Sequence, residues 1–256
     1  MAGIAASQPE CEARVLTLYA DEAERWTNTM ASNDFIVTVH SPTDVKKHNS
    51  KPAIVSKDPA QVVPGAQIIL FAVPAFAHAQ YLEALKPFVV PGTVLVGIPG
   101  NAGFEFAVRG IWGDLARQCT IMSFESLPWA CRIVEFGKSA EVLGTKGNLT
   151  GAVLMGLTPP PMDPTAMTQH VLGPLPKLIT HGHLLGITLM GTNGYLHPSI
   201  MFGCWTKWNG QPLDAPPLFY NGLDETSADI LSHVSDEVVA TAKAIMKQRP
   251  QVSSIV

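Results

Sequence analysis

Residues 67–74 read Gln-Ile-Ile-Leu-Phe-Ala-Val-Pro, and residues 93–99 read Thr-Val-Leu-Val-Gly-Ile-Pro. Both are short, almost continuously apolar runs that stop at a proline. A strand with one wet face alternates apolar and polar residues, whereas a strand covered on both faces does not. The two runs therefore belong inside a parallel sheet with helices on either side. The segments that follow agree: Phe76–Leu85 and Phe104–Ile111 have helical spacing. Thr120–Phe124 and Glu141–Leu143 read as further strands. Upstream, Arg14–Tyr19 reads as a strand leading into a helical Asp21–Trp26. Phe35–His40 and Ala53–Val55 read as two short strands around a polar turn, and Asp58–Val63 as a short helix. This alternation predicts an α/β fold with a largely parallel sheet.

The 256 residues fit one large domain or two smaller ones. Apolar residues make up 46% and charged residues 15%, which excludes a disordered chain. A net charge of −4 argues against nucleic-acid binding through a basic surface. No stretch reaches the roughly 18 uninterrupted apolar residues of a membrane helix. Met1–Pro9 has no basic lead-in of the kind a signal peptide carries. Cys11, Cys119, Cys131 and Cys204 show neither a C-x-x-C pair nor zinc spacing, so reduced thiols and no metal are expected.

After Gly156 the pattern changes. Leu157–Pro164 holds four prolines and reads as a surface loop. Gly182–Gly194 is apolar and glycine-containing, as a connector between domains would be. Ser227–Met246 places Leu231, Val234, Val238, Ala242 and Ile245 on one helical face, with Thr226 and Asp229 spaced as a capping box. No partner for that helix is legible. A doubly wound fold opens with a strand, a glycine-rich turn and a helix. Here Met1–Ala6 reads as the end of a helix, and no G-x-G-x-x-G occurs.

Five segments could carry chemistry. Asp21 ends a strand where an acid accepts hydrogen bonds from a ribose, and fits equally as a helix cap. At Val73-Pro74-Ala75-Phe76-Ala77-His78 a buried strand ends at the edge where ligands bind in open α/β sheets. Ala75 lets a cofactor approach the backbone there. His78 is either a base or a structural first-turn residue. Asn101 offers amide donors and an acceptor, or makes an ordinary Gly-Asn turn. Glu105 is read as a cap or a solvent-facing side chain. Ser126 and Cys131 follow the next strand. Cys131 has no activating neighbour in sequence and reads as a small pocket-lining hydrophobe. His197 falls at the proposed domain junction, where clefts form.

Together these segments resemble the opine dehydrogenases, the octopine and tauropine type. The resemblance rests on VLTLYADEAERW, VPAFAHAQYLEAL, GIPGNAGFEF, MSFESLPWACRI, EFGKSAEVLGTK, GYLHPSIMFG and PPLFYNGLDE, spread over residues 15–225. It implies a Rossmann-like NADH-binding domain over residues 1–185. The start of a mostly helical substrate domain would follow over residues 186–256. It also implies reductive condensation of pyruvate, or a related 2-oxo acid, with an amino acid or taurine, which regenerates NAD in anaerobic glycolysis. His197 is then the acid/base. Asn101, Ser126 and Cys131 line the substrate side, and Asp21, Pro74, Ala75 and Phe76 the cofactor side. A cytoplasmic monomer acting on small molecules is expected. The family's first strand and its G-G-G-N-G-A-H loop are not seen, and family members continue beyond Val256. The chain is therefore expected to be an internal fragment or a truncated product, with a non-catalytic role as the alternative. A related reductase of the glycerol-3-phosphate or ketopantoate type is a further alternative, and SFESLPWACRI argues against it. Asn101 stands where arginine-using relatives have glutamine, which suggests a different amine.

Overall fold

The computed structural model describes residues 1–100, 103–206 and 208–250. In chain order the elements are α1 (Ala2–Ala6), β1 (Arg14–Leu16), α2 (Glu22–Ser32), β2 (Ile36–His40), β3 (Val45–Asn49), β4 (Ile54–Ser56) and α3 (Pro59–Val62). Then come β5 (Ile68–Phe71), α4 (His78–Leu85), β6 (Val94–Gly97), α5 (Phe104–Trp112), α6 (Asp114–Gln118), β7 (Thr120–Phe124), β8 (Trp129–Glu135), β9 (Ser139–Thr145) and β10 (Asn148–Leu154). The last are α7 (Pro164–Leu172), β11 (Lys177–Gly182), α8 (Leu184–Leu189), α9 (Asn193–Thr206) and α10 (Glu225–Gln248).

A five-stranded sheet in the order β11-β10-β7-β6-β5 forms the centre. β5, β6 and β7 are parallel, β10 runs antiparallel to β7, and β11 lies parallel to β10. Successive side chains on a strand point to opposite faces. Val94 and Val96 of β6 and Met122 and Phe124 of β7 accordingly join Ile4 of α1 and Met167 and Leu172 of α7 in one core. Leu95 and Ile121 enter the other, with Leu82 and Leu85 of α4 and Phe104, Val108 and Trp112 of α5. Covering on both faces is what made these strands read as unbroken apolar runs. The Trp112 indole N–H donates to the Leu82 carbonyl at 2.7 Å and ties α5 to α4. The fold is thus α/β and Rossmann-like.

A second sheet, β3-β2-β9-β8, shares the first core through Val37, Val142 and Trp129. β1 and β4 form a separate parallel pair. Several expectations are corrected here. The polar stretch between the two upstream strands contains β3, which pairs antiparallel with β2. The Arg14–Tyr19 strand ends at Leu16. The proline-rich loop ends in a helix start: Pro164 opens α7, capped by Asp163, whose carboxylate accepts the Ala166 N–H at 2.7 Å. The connector contains α8.

The long helix α10 starts earlier than expected. Asp224, not the Thr226–Asp229 pair, caps it by accepting the Ser227 N–H at 2.8 Å. It also has a partner. α10 packs on α9 where Gly203 faces Ser227, and a Cβ at position 203 would lie 2.0 Å from the Ser227 Oγ. Only glycine admits that approach.

Candidate active site

The parallel strands β5, β6 and β7 bring their carboxyl ends to one edge. After β5, Pro74 leads into a 3-10 turn, Ala75–Ala77, and Phe76 is 90% exposed on it. After β6 comes Ile98-Pro99-Gly100. Gly100 is pressed against Ser123 of β7, and a Cβ there would lie 2.6 Å from the Ser123 Cβ. The Gly100 N–H donates to the Phe124 carbonyl at 2.8 Å. Asn101 lies outside the described residues. After β7, Glu125 accepts the Thr150 N–H at 3.1 Å, and Ser126 follows half-buried. Small residues and tight backbone crossings keep this edge low, as a flat ligand laid across strand ends requires.

Glu105 was expected to cap a helix or to face solvent. It is 3% exposed, in the first turn of α5. The Thr188 hydroxyl of α8 donates to its Oε1 at 3.4 Å. Its other oxygen, Oε2, and the Ser123 Oγ each lack a hydrogen-bond partner among the described residues. Burial raises the Glu105 pKa above its ordinary value. Its own backbone N–H, Thr188, Arg109 and Ser123 pull the other way. The Ser123 hydroxyl is near enough to favour the ionised carboxyl without a formed hydrogen bond between the two side chains. A glutamate between two phenylalanines in Phe-Glu-Phe was the available sign of burial.

His78 is buried between Phe71 and Phe104, with ring centroids 6.2 and 5.3 Å away. Burial lowers its pKa, against a bond to the Val73 carbonyl that raises it, so the imidazole is held neutral. It supports the Pro74 turn from below. Asp21 sits after β1 at the start of α2 but makes no side-chain cap; it pairs with Arg25 at 3.1 Å. That corrects the capping alternative and leaves the carboxylate outward. Cys131 is exposed on the edge strand β8, not enclosed.

His197 stands on α9, one residue before Pro198, which interrupts the helix's own hydrogen bonding. Its Nε2 is 3.0 Å from the Tyr220 hydroxyl, and its ring meets Phe219 edge-on at 5.1 Å. The strand-end residues thus share one edge of the sheet. His197 belongs to the helices that follow, and the described hydrogen bond between this edge and those helices is the Glu105–Thr188 contact.

A dinucleotide fits the strand-end edge. Phe76 offers an open ring face there, and Gly100, packed against Ser123, keeps the backbone low beside it. Among the described residues, no helix is long and apolar enough to cross a membrane.

Comparison with known proteins gives this arrangement its relatives. No family model matches the chain. It is 59% identical to tauropine dehydrogenase of Arabella iricolor over 97% of its own length and 63% of that protein's. A solved octopine dehydrogenase with NADH and L-arginine covers the whole chain with a TM-score of 0.92 at 41% identity, over 64% of that structure. Its counterpart with NADH and pyruvate covers 99% of the chain and 65% of that structure, with a TM-score of 0.91 at 41% identity. The chain therefore spans a little under two thirds of the relatives it matches. Across nearly all of its own length, through both the strand-end turns and the helix bearing His197, it is similar to the opine dehydrogenases.

Proposed function

We propose that the protein catalyses the NADH-dependent reductive condensation of pyruvate, or a related 2-oxo acid, with an amino acid or taurine. The observation that carries this reading is the 59% identity to a tauropine dehydrogenase over 97% of the chain. Residues 1–185 form the cofactor-binding part. Residues 186–256 begin the substrate-binding part, in a cytoplasmic monomer that works in anaerobic glycolysis. NAD(H), when bound, supplies the hydride chemistry. Asp21, Pro74, Ala75 and Phe76 would hold it, with the Asp21 carboxylate exchanging its Arg25 partner for ribose hydroxyls. Asn101 and Ser126 serve the substrate, and Cys131, exposed on its edge strand, is not assigned to it. His197 exchanges a proton with the amine nitrogen or with the hydroxyl of the condensation intermediate, for which an imidazole is suited near neutral pH.

The test is NADH oxidation by the full-length enzyme with pyruvate and a panel of taurine, alanine, glycine and arginine. Turnover with at least one amine, lowered about 10²- to 10⁴-fold by His197→Ala, is expected. No turnover with any amine would overturn the reading.

A further inference from the structure

The segment Pro216–Glu225 (PPLFYNGLDE) has no role in the reading above, yet it returns along α9 to the one histidine that does. We infer that Tyr220 is a positioning residue for His197, holding the imidazole through Nε2 in one orientation. This rests on the proposed role of His197. Three observations support it.

First, the phenol oxygen is 3.0 Å from Nε2, a formed hydrogen bond between residues 23 positions apart. Second, the ring is boxed by aromatics. Phe219 meets His197 at 73° and 5.1 Å, Tyr220 meets it at 60° and 5.9 Å, and Phe219 and Tyr220 meet each other at 76° and 4.8 Å. Edge-on contacts of this kind restrict rotation of the imidazole about its χ2. Third, Tyr220 is 61% exposed and buries little, so its packing role is small. A tyrosine that only filled space would be enclosed.

The chemistry follows from the two ring nitrogens. A phenol hydroxyl both donates and accepts, so it serves either tautomer of the neutral ring, and what the bond fixes is the direction in which the ring points. With Nε2 bonded to the phenol, Nδ1 is presented in one direction. Without that bond the ring samples more than one orientation, and only a fraction of encounters is productive.

Tyr220→Phe keeps the ring and its contacts with Phe219 and removes one oxygen. In the full-length enzyme, kcat is expected to fall about tenfold, with KM for the 2-oxo acid and for NADH changed less than twofold. Nitrogen-15 NMR of the His197 side chain should show the Nε2 resonance shifted between the parent protein and Tyr220→Phe, as loss of its hydrogen bond requires. An unchanged Nε2 resonance overturns the inference, as does a kcat within twofold of the parent. His197→Ala separates the two readings. If it retains the parent rate, the role of His197 itself fails. If it is inactive while Tyr220→Phe is unaffected, only the positioning role of Tyr220 fails.

Discussion

Replacing Glu105 by glutamine should stabilise the protein at neutral pH and leave it nearly unchanged in acid. The side chains are close in shape, so the change isolates the proton-binding site. In the folded protein burial raises the Glu105 pKa above its ordinary 4.5. Below that value both the folded and the unfolded chain hold the proton, and the carboxyl has no penalty. As the pH rises through it, the unfolded chain ionises first and the folded chain keeps its proton. The folded state then binds more protons, so stability falls with rising pH until the folded pKa is passed. The slope is bounded by one proton, about 1.4 kcal/mol per pH unit. Glutamine lacks this loss, so its advantage grows with pH at up to that slope. The assay is urea denaturation followed by tryptophan fluorescence, for both proteins, in half-unit steps from acid to neutral pH. A difference in unfolding free energy that is flat across the series would refute the reasoning. So would a difference that favours glutamate as the pH rises, because Arg109, Thr188 and Ser123 would then outweigh burial.

Two further predictions concern packing and the cofactor edge. Gly203→Ala puts a Cβ 2.0 Å from the Ser227 Oγ and forces α9 away from α10. It should cost about 1–3 kcal/mol by thermal or urea melts, and Ser227→Gly in the same chain should recover part of that loss. Full recovery is not expected, because the Ser227 Cα is itself 2.8 Å from the added atom. Phe76→Ala should change unfolding free energy by no more than about 0.5 kcal/mol, since the ring is outside the core. If the ring covers the cofactor, the NADH dissociation constant should rise about 2- to 10-fold. Equal NADH affinity in a fluorescence titration would remove Phe76 from the site.

What the sequence made legible follows burial. β5, β6 and β7 were readable because helices cover both of their faces, which demands apolar residues at every position. Thr120–Phe124 matched β7 residue for residue. β3 was not readable: Val-Lys-Lys-His-Asn is almost wholly exposed at a sheet edge, held by backbone pairing to β2, and backbone pairing leaves no trace in side-chain type. β8 is similar, exposed after Trp129. α7 was hidden because Pro164 was counted with the loop before it. Proline at a first helical position, after a capping aspartate, is a start signal and not a breaker.

The site divides along the same line. The strand-end turns were legible because Pro74 and the Pro99-Gly100 pair punctuate buried strands. The contacts that join those turns to the later helices were not, because they connect residues far apart in sequence: Glu105 with Thr188, and His197 with Tyr220. The first of these matters for more than stability. Thr188 lies in α8, and α9 begins five residues later at Asn193, one turn before His197. A hydrogen bond at the strand-end edge therefore fixes the helix that feeds the His197 helix. Glu105 is buried where a packed apolar side chain would be easier to accommodate. A carboxyl retained there supplies what an apolar residue cannot, a directional link between the sheet edge and the helices that lead to His197. In the full-length enzyme, Glu105→Gln should keep that link and preserve turnover, whereas Glu105→Ala should lower it even where the protein stays folded.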